Sequence, residues 1–231
     1  MLPHELFSAM YTYYNADFHK AMATNNLENF WDRVPICRRN FDASTKQYCV
    51  PIRLTGDDVP VAATNNCNIF LWCSAAGFKL PATLSKLPIA VTPLKHAEQA
   101  TLEGVYQVVA WSLECLRDGR WPCRDHLGRE WTDTFRQEMA GQRLAGQYHA
   151  VFFETGGDWK WIKETVALPL NYQCSDICWK CPANQRGHLC FKHFSSSAPW
   201  TQRGIWRTQE EYAVAVQPLP VSLKWMVSTL L

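Results

Sequence analysis

Apolar residues along this chain follow two rhythms. Over residues 102–117, Val105, Val108, Val109, Leu113 and Leu116 recur every three or four positions, and Gly119 supplies a stop. That spacing is one face of a helix. Over 148–154 (YHAVFFE) the apolar residues are nearly continuous, which predicts a buried strand ended by Gly156-Gly157-Asp158. Residues 48–55 (YCVPIRLT) also read as a strand. Pro51 belongs near its start, because proline cannot donate to a central ladder. Gly56-Asp57-Asp58 is expected to end it. The runs 68–75 (NIFLWCSA) and 87–92 (LPIAVT) have strand length too. Three strands in succession predict an antiparallel meander.

The flanks read as helical. Leu6, Met10, Tyr13 and Tyr14, then Leu27, Phe30 and Trp31, keep helical spacing across 5–34, with a break expected at Asn25-Asn26. A second helix is predicted over 131–140, capped by Thr132 or Asp133. Residues 159–168 (WKWIKETVAL) turn helical before Pro169, and 195–204 read as a loop. A short helix around Glu210–Val216 precedes an apolar tail. The order of elements predicts a mixed α/β (α+β) fold. It divides into an N-terminal helical segment (1–47), a sheet-and-helix core (48–168), a Cys/His segment (169–195) and a C-terminal tail (196–231).

Composition narrows the class. With 47% hydrophobic and 19% charged residues among 231, the chain is no disordered polyelectrolyte. No uninterrupted apolar run reaches the ~18 residues a membrane span needs, and the opening MLPHELFSAM lacks the basic flank and apolar run of a secretory signal. A net charge of +2 exerts no strong general pull on nucleic acid but leaves room for a local basic groove.

Ten Cys and eleven Trp are the compositional oddities. Cys37, Cys49, Cys67, Cys73, Cys115 and Cys123 are scattered singly and read as reduced core or surface thiols. Trp111, Trp121 and Trp131 read as core or loop packing. Cys174, Cys178, Cys181 and Cys190 instead crowd together with His188 and His193. Zinc takes four tetrahedral ligands from thiolate and imidazole, and short spacers let paired ligands converge. Cys178 with Cys181 and Cys190 with His193 give C-x2-C-x8-C-x2-H, with Cys174 and His188 as alternates. The competing reading is a redox C-x-x-C without metal. Trp179 lies between the first pair, and Lys180, Arg186, Lys192 and Arg203 surround it. Aromatic and basic residues together suit base stacking and phosphate contact; a structural clip with a solvated basic rim fits as well.

Asp57 and Asp158 each follow an apolar strand through glycine. Two carboxylates on neighbouring strands can share Mg²⁺ or Mn²⁺ ions that activate water and stabilise a leaving oxygen in phosphodiester cleavage. Taken singly, Asp158 also fits a helix N-cap and Asp57-Asp58 a hairpin turn.

The strings PIRLTGDDVPV (51–61), WSLECLRDGRWP (111–122) and FFETGGDWKWIKETVALPLNYQCSDICWKC (152–181) resemble the catalytic region of eukaryotic cut-and-paste DNA transposases of the CACTA type and transposon-derived proteins related to them. The resemblance covers about residues 48–195. It implies an RNase H-like sheet with a zinc knuckle, a DNA partner and a nuclear location. It makes Asp57 and Asp158 the first and second metal-binding acids, with Asp58 a rival for the first place. Lys160, Lys163, Trp179, Lys180, Arg186 and Lys192 become candidate nucleic-acid contacts. The family's third acid, usually Glu on a later helix, has only Glu210 and Glu211 to fill it here. The chain is therefore expected to be an amino-terminal piece of a longer transposase-like protein, or a decayed or repurposed copy, inactive or incomplete as a catalyst. The alternatives are an active metal-dependent nuclease or strand-transfer enzyme, and a zinc-stabilised scaffold with no nucleic-acid role.

Overall fold

In the computed structural model, residues 1–24, 27–34, 42–62, 65–77, 85–93, 99–158, 161, 175, 181–193, 195 and 197–201 are described. The N-terminal apolar pattern resolves into three helices, α1 (Pro3–Tyr13), α2 (Asn15–Ala21) and α3 (Leu27–Arg33). Proline at the first helical position costs α1 nothing, because that N–H has no partner in the helix anyway. Glu5 Oε2 accepts from the Leu2 N–H at 3.0 Å, satisfying another donor at the helix start. A 3-10 turn, Ala43–Tyr48, leads into the sheet.

The sheet has four strands, β1 (Cys49–Ala62), β2 (Asn65–Ser74), β3 (Leu87–Pro93) and β4 (His149–Gly157). Their order is β3-β2-β1-β4. The first three form the expected antiparallel meander, with Leu54 opposite Trp72 and Phe70 opposite Ala90. Between β3 and β4 lie α4 (Gln99–Asp118) and the short α5 (Thr134–Met139). Asp133, and not Thr132, caps α5, accepting from the Arg136 N–H at 2.9 Å. Two contacts give the direction of β4. Arg53 pairs with Glu154, and Gly156 lies against Thr55. Both partners advance together, so β4 runs parallel to β1 and the sheet is mixed.

One expected boundary fails. Gly56-Asp57-Asp58 does not end β1, nor does it form the hairpin turn. These residues pair with Phe70, Ile69 and Asn68, and the ladder runs on to Ala62 opposite Asn65. Glycine and aspartate favour turns in isolation. Here each of the three residues has a partner in β2, and Val59-Pro60-Val61 prolongs the extended run. A ladder bond outweighs a local preference of a few tenths of a kcal/mol.

Burial alternates along β1. Ile52, Leu54 and Gly56 are buried, whereas Arg53 and Thr55 are half-buried and Asp57 is exposed. Phe70 and Trp72 of β2 join the buried face, and Tyr106 of α4 meets Phe70 edge-on at 5.6 Å. α1 packs on α4: the Ser112 hydroxyl lies 2.9 Å from His4 Nδ1 and accepts from the His4 backbone N–H. Trp121 is buried and donates to Ser8, Trp131 donates to the Pro122 carbonyl, and Trp111 meets His4 edge-on. All three tryptophans pack as their positions implied. Cys49, Cys67, Cys73 and Cys115 are free, buried thiols, and Cys123 is free and exposed. Burial pushes the Cys115 thiol up to about 12 and raises Cys49 and Cys73 as well. Such thiols pack as small apolar groups and do not act as nucleophiles at neutral pH.

Gly119 ends α4 with φ +63°, and a Cβ there would stand 3.2 Å from His149 Cβ. A non-glycine residue pays about 1–2 kcal/mol for this left-handed geometry before any contact is counted. Gly119→Ala is expected to lower stability by about 2 kcal/mol in urea denaturation. A loss below about 0.5 kcal/mol would mean the turn relaxes freely.

By backbone contacts the chain divides into two compact units, Met1–Gly156 and Gly157–Thr229. Among the described residues, no helix is long and apolar enough to cross a membrane.

Candidate functional site

Asp57 projects from the middle of β1, exposed, with Ile69 opposite it in register. Alternation puts it on the face that carries Arg53 and Thr55. Asp58 points to the other face, half-buried, with Asn68 opposite. Asp58 therefore shares the side of Leu54 and Phe70, which makes it the poorer candidate for an exposed cation.

On the Arg53 side, Arg53 Nε donates to Glu154 Oε1 at 2.6 Å, and its Nη2 meets the same oxygen. A Cβ on Gly156 would stand 3.4 Å from Thr55 Cγ2, an ordinary contact. The Thr55 hydroxyl is buried and has no hydrogen-bond partner among the described residues. Thr55 and Gly156 thus lie side by side on parallel strands. Each is followed two residues later by an aspartate, Asp57 in one strand and Asp158 just past the other.

Asp158 is exposed, and its Oδ1 accepts from the Trp161 N–H at 2.6 Å. This i to i+3 bond is the cap geometry expected of an aspartate that opens a helix. It engages one carboxylate oxygen. The predicted helix 159–168 lies outside the described residues apart from Trp161.

The Cys/His segment is described in its second half. Asn184 bridges Cys190, with the Asn184 N–H donating to Leu189 O and the Phe191 N–H returning to Asn184 O. Gly187, at φ +79°, makes the reversal and accepts from the Cys190 N–H. The His193 N–H donates to Cys190 O at 3.1 Å, so the C-x2-H pair occupies a single turn. The Cys190 thiol donates to Gln185 O at 3.3 Å, and His193 Nε2 lies 2.9 Å from Ser195 Oγ. Cys181 is buried and His188 exposed. Cys174, Cys178, Trp179 and Lys180 lie outside the described residues, as do Lys160 and Lys163. Arg186 and Lys192 are exposed on the loop. Among the described residues, no three His, Cys, Asp or Glu side chains gather closely enough to hold a metal. Cys181, Cys190 and His193, three of the four expected zinc ligands, are described and form no such group.

No family model, curated protein or solved structure matches the chain.

Sequence reasoning missed the Arg53–Glu154 pair. Both residues stand in runs read simply as strands, and nothing local marks them as partners. Only the parallel pairing of β1 with β4 joins them.

Proposed function

We propose that this chain is a transposase-derived, RNase H-like protein that binds DNA, carrying an incomplete or inactive catalytic core and a structural zinc knuckle. The observation that carries the reading is the strand order β3-β2-β1-β4. A meander followed by a helical crossover sets β4 parallel to β1; Asp57 lies within β1 and Asp158 follows β4. Asp57 and Asp158 would hold Mg²⁺ or Mn²⁺, whose chemistry is to activate water and stabilise a leaving oxygen. Glu154 does not serve as a free third acid, because Arg53 holds it. Glu210 and Glu211 lie outside the described residues. Two carboxylates grip a cation pair poorly, which supports an inactive core. Cys178, Cys181, Cys190 and His193 would hold zinc, with Cys174 and His188 as alternates. Lys160, Lys163, Trp179, Lys180, Arg186 and Lys192 would face the DNA, and a nuclear location goes with that partner.

The test is zinc content of the purified chain, salt-dependent DNA binding, and Mg²⁺- or Mn²⁺-dependent nicking of labelled DNA. One zinc per chain, lost in Cys178→Ser, with binding that weakens steeply as salt rises and no nicking, is the expected result. Nicking abolished by Asp158→Asn would establish an active nuclease instead; asparagine keeps a cap acceptor for the Trp161 N–H and removes only the charge. One zinc without DNA binding would leave a zinc-stabilised scaffold. Absence of both zinc and DNA binding would end the proposal.

A further inference from the structure

α3 carries three kinds of residue at helical spacing, and each kind meets something different. Leu27 and Trp31 are buried in the core. Glu28 and Asp32, one turn apart, both bind Lys46 of the 3-10 turn, each at 2.9 Å. Asn29 and Arg33, again one turn apart, line an open cavity of about 380 Å³. Residues at i and i+4 share a helix face, so these two polar groups stand side by side. The other described lining residues are apolar: Phe30, Val34, Ala75, Ala76 and Phe153. The Phe30 and Phe153 rings meet edge to face, with centroids 5.1 Å apart and planes at 73°. All of these residues belong to the unit Met1–Gly156.

The volume falls in the range of small-molecule sites, and the lining has their character, an apolar wall with a few polar groups to set orientation. Its charge is one-sided. Lys46 takes up both acids of α3, and among the described residues the exposed Arg33 side chain has no ion-pair partner. A guanidinium is a planar fork whose N–H groups match a carboxylate through two parallel hydrogen bonds. We propose that this cavity binds a small aromatic carboxylate, with its ring against Phe30 and Phe153 and its carboxylate on Arg33. The Asn29 amide is placed on the same helix face to donate a further bond. The aromatic ligand follows from the phenyl pair, because a third ring adds edge-to-face contact that an aliphatic chain of equal area does not. Neither Asp57 nor Asp158 lines the cavity, so the site stands independently of the two-acid reading.

The test is calorimetric titration of the full chain with cinnamate and with its uncharged counterpart cinnamamide. Cinnamate is expected to bind saturably at one site per chain and more tightly than cinnamamide. Arg33→Gln is expected to weaken cinnamate about tenfold, the usual effect of losing a hydrogen-bonded charge pair, and to leave cinnamamide unchanged. Ala76→Leu fills the cavity and is expected to abolish binding of both. Arg33 is exposed and Ala76 half-buried, so both variants are expected to fold, which urea denaturation checks. Should Ala76→Leu fail to fold, Asn29→Trp on the exposed helix surface closes the same cavity and is read in its place. Absence of saturable cinnamate binding would overturn the proposal. Equal affinity for the two compounds, or cinnamate binding that both Arg33→Gln and the cavity-filling variant leave unchanged, would overturn it as well.

Discussion

Trp31→Ala is expected to cost about 4 kcal/mol of unfolding free energy, the largest effect of any single change considered for this chain. Trp31 lies on α3 and is 1% exposed. It packs with Val34, Cys49 and Val151, and so joins an N-terminal helix to the first and last strands of the sheet. Phe30 and Phe153 meet its ring edge-on at 5.1 and 5.8 Å. Its Nε1 donates to the Cys49 carbonyl at 2.7 Å. Truncation removes the apolar contacts, leaves a cavity and strips a buried carbonyl of its donor. Trp31→Phe separates these terms. It keeps most of the apolar volume and loses the donor, so about 1–3 kcal/mol is expected. Urea denaturation reads both, with the midpoint falling at unchanged slope. Domains of this size are stable by only about 5–15 kcal/mol, so the Ala variant would approach the threshold of folding. A loss under about 1 kcal/mol in Trp31→Ala would mean that α3 docks loosely.

Acid is expected to destabilise the fold through His4. The side chain is 1% exposed, faces the edges of Trp111 and Trp121, and lies 2.9 Å from the Ser112 hydroxyl. Burial lowers its pKa from 6.5 to about 4, and Arg136 also acts to lower it, while Glu5 opposes them. The unfolded chain therefore binds this proton more readily than the folded one between pH 6.5 and 4. Stability is fully present above pH 6.5 and is lost as pH falls to about 4, by roughly 3 kcal/mol in total. Below that the imidazole is protonated in both states, and its contribution stops changing. Two other groups act in the same direction. His149 is also lowered by burial. Burial acts to raise Glu5, but its bonds from the Leu2 N–H and Arg136 prevail and hold its carboxyl below the ordinary value, so it too is lost in acid. His4→Asn keeps a polar atom near the Nδ1 position and cannot take up the proton. Its stability is expected to fall much less between pH 6.5 and 4 than that of the native chain. Parallel curves for the two proteins would show that His4 is not the group that titrates.

Much of the architecture was legible because it repeats a local period. Val109, Leu113 and Leu116 mark the buried face of α4, and all three are buried. Ala150, Val151 and Phe152 mark a strand through continuity alone. Gly119 announced the end of α4 because only glycine takes its backbone geometry without strain. Boundaries that depend on a partner were not legible. Gly56-Asp57-Asp58 reads as a turn until β2 is placed beside it. The six-residue α5 is shorter than the predicted 131–140, and of the two offered caps it takes the aspartate.

The sequence by itself determined the types of the described helices and strands that it predicted, the antiparallel meander, the inert core cysteines and the two aspartates that follow glycine, because these depend on neighbours a few residues away. Only the tertiary structure decided the parallel placement of β4 beside β1, the pairing of Arg53 with Glu154 and the docking of His4 on Ser112. Those partners are 101 and 108 positions apart in the chain. Their association is selected by burial and charge across the whole sheet and its helices, and no local pattern encodes it.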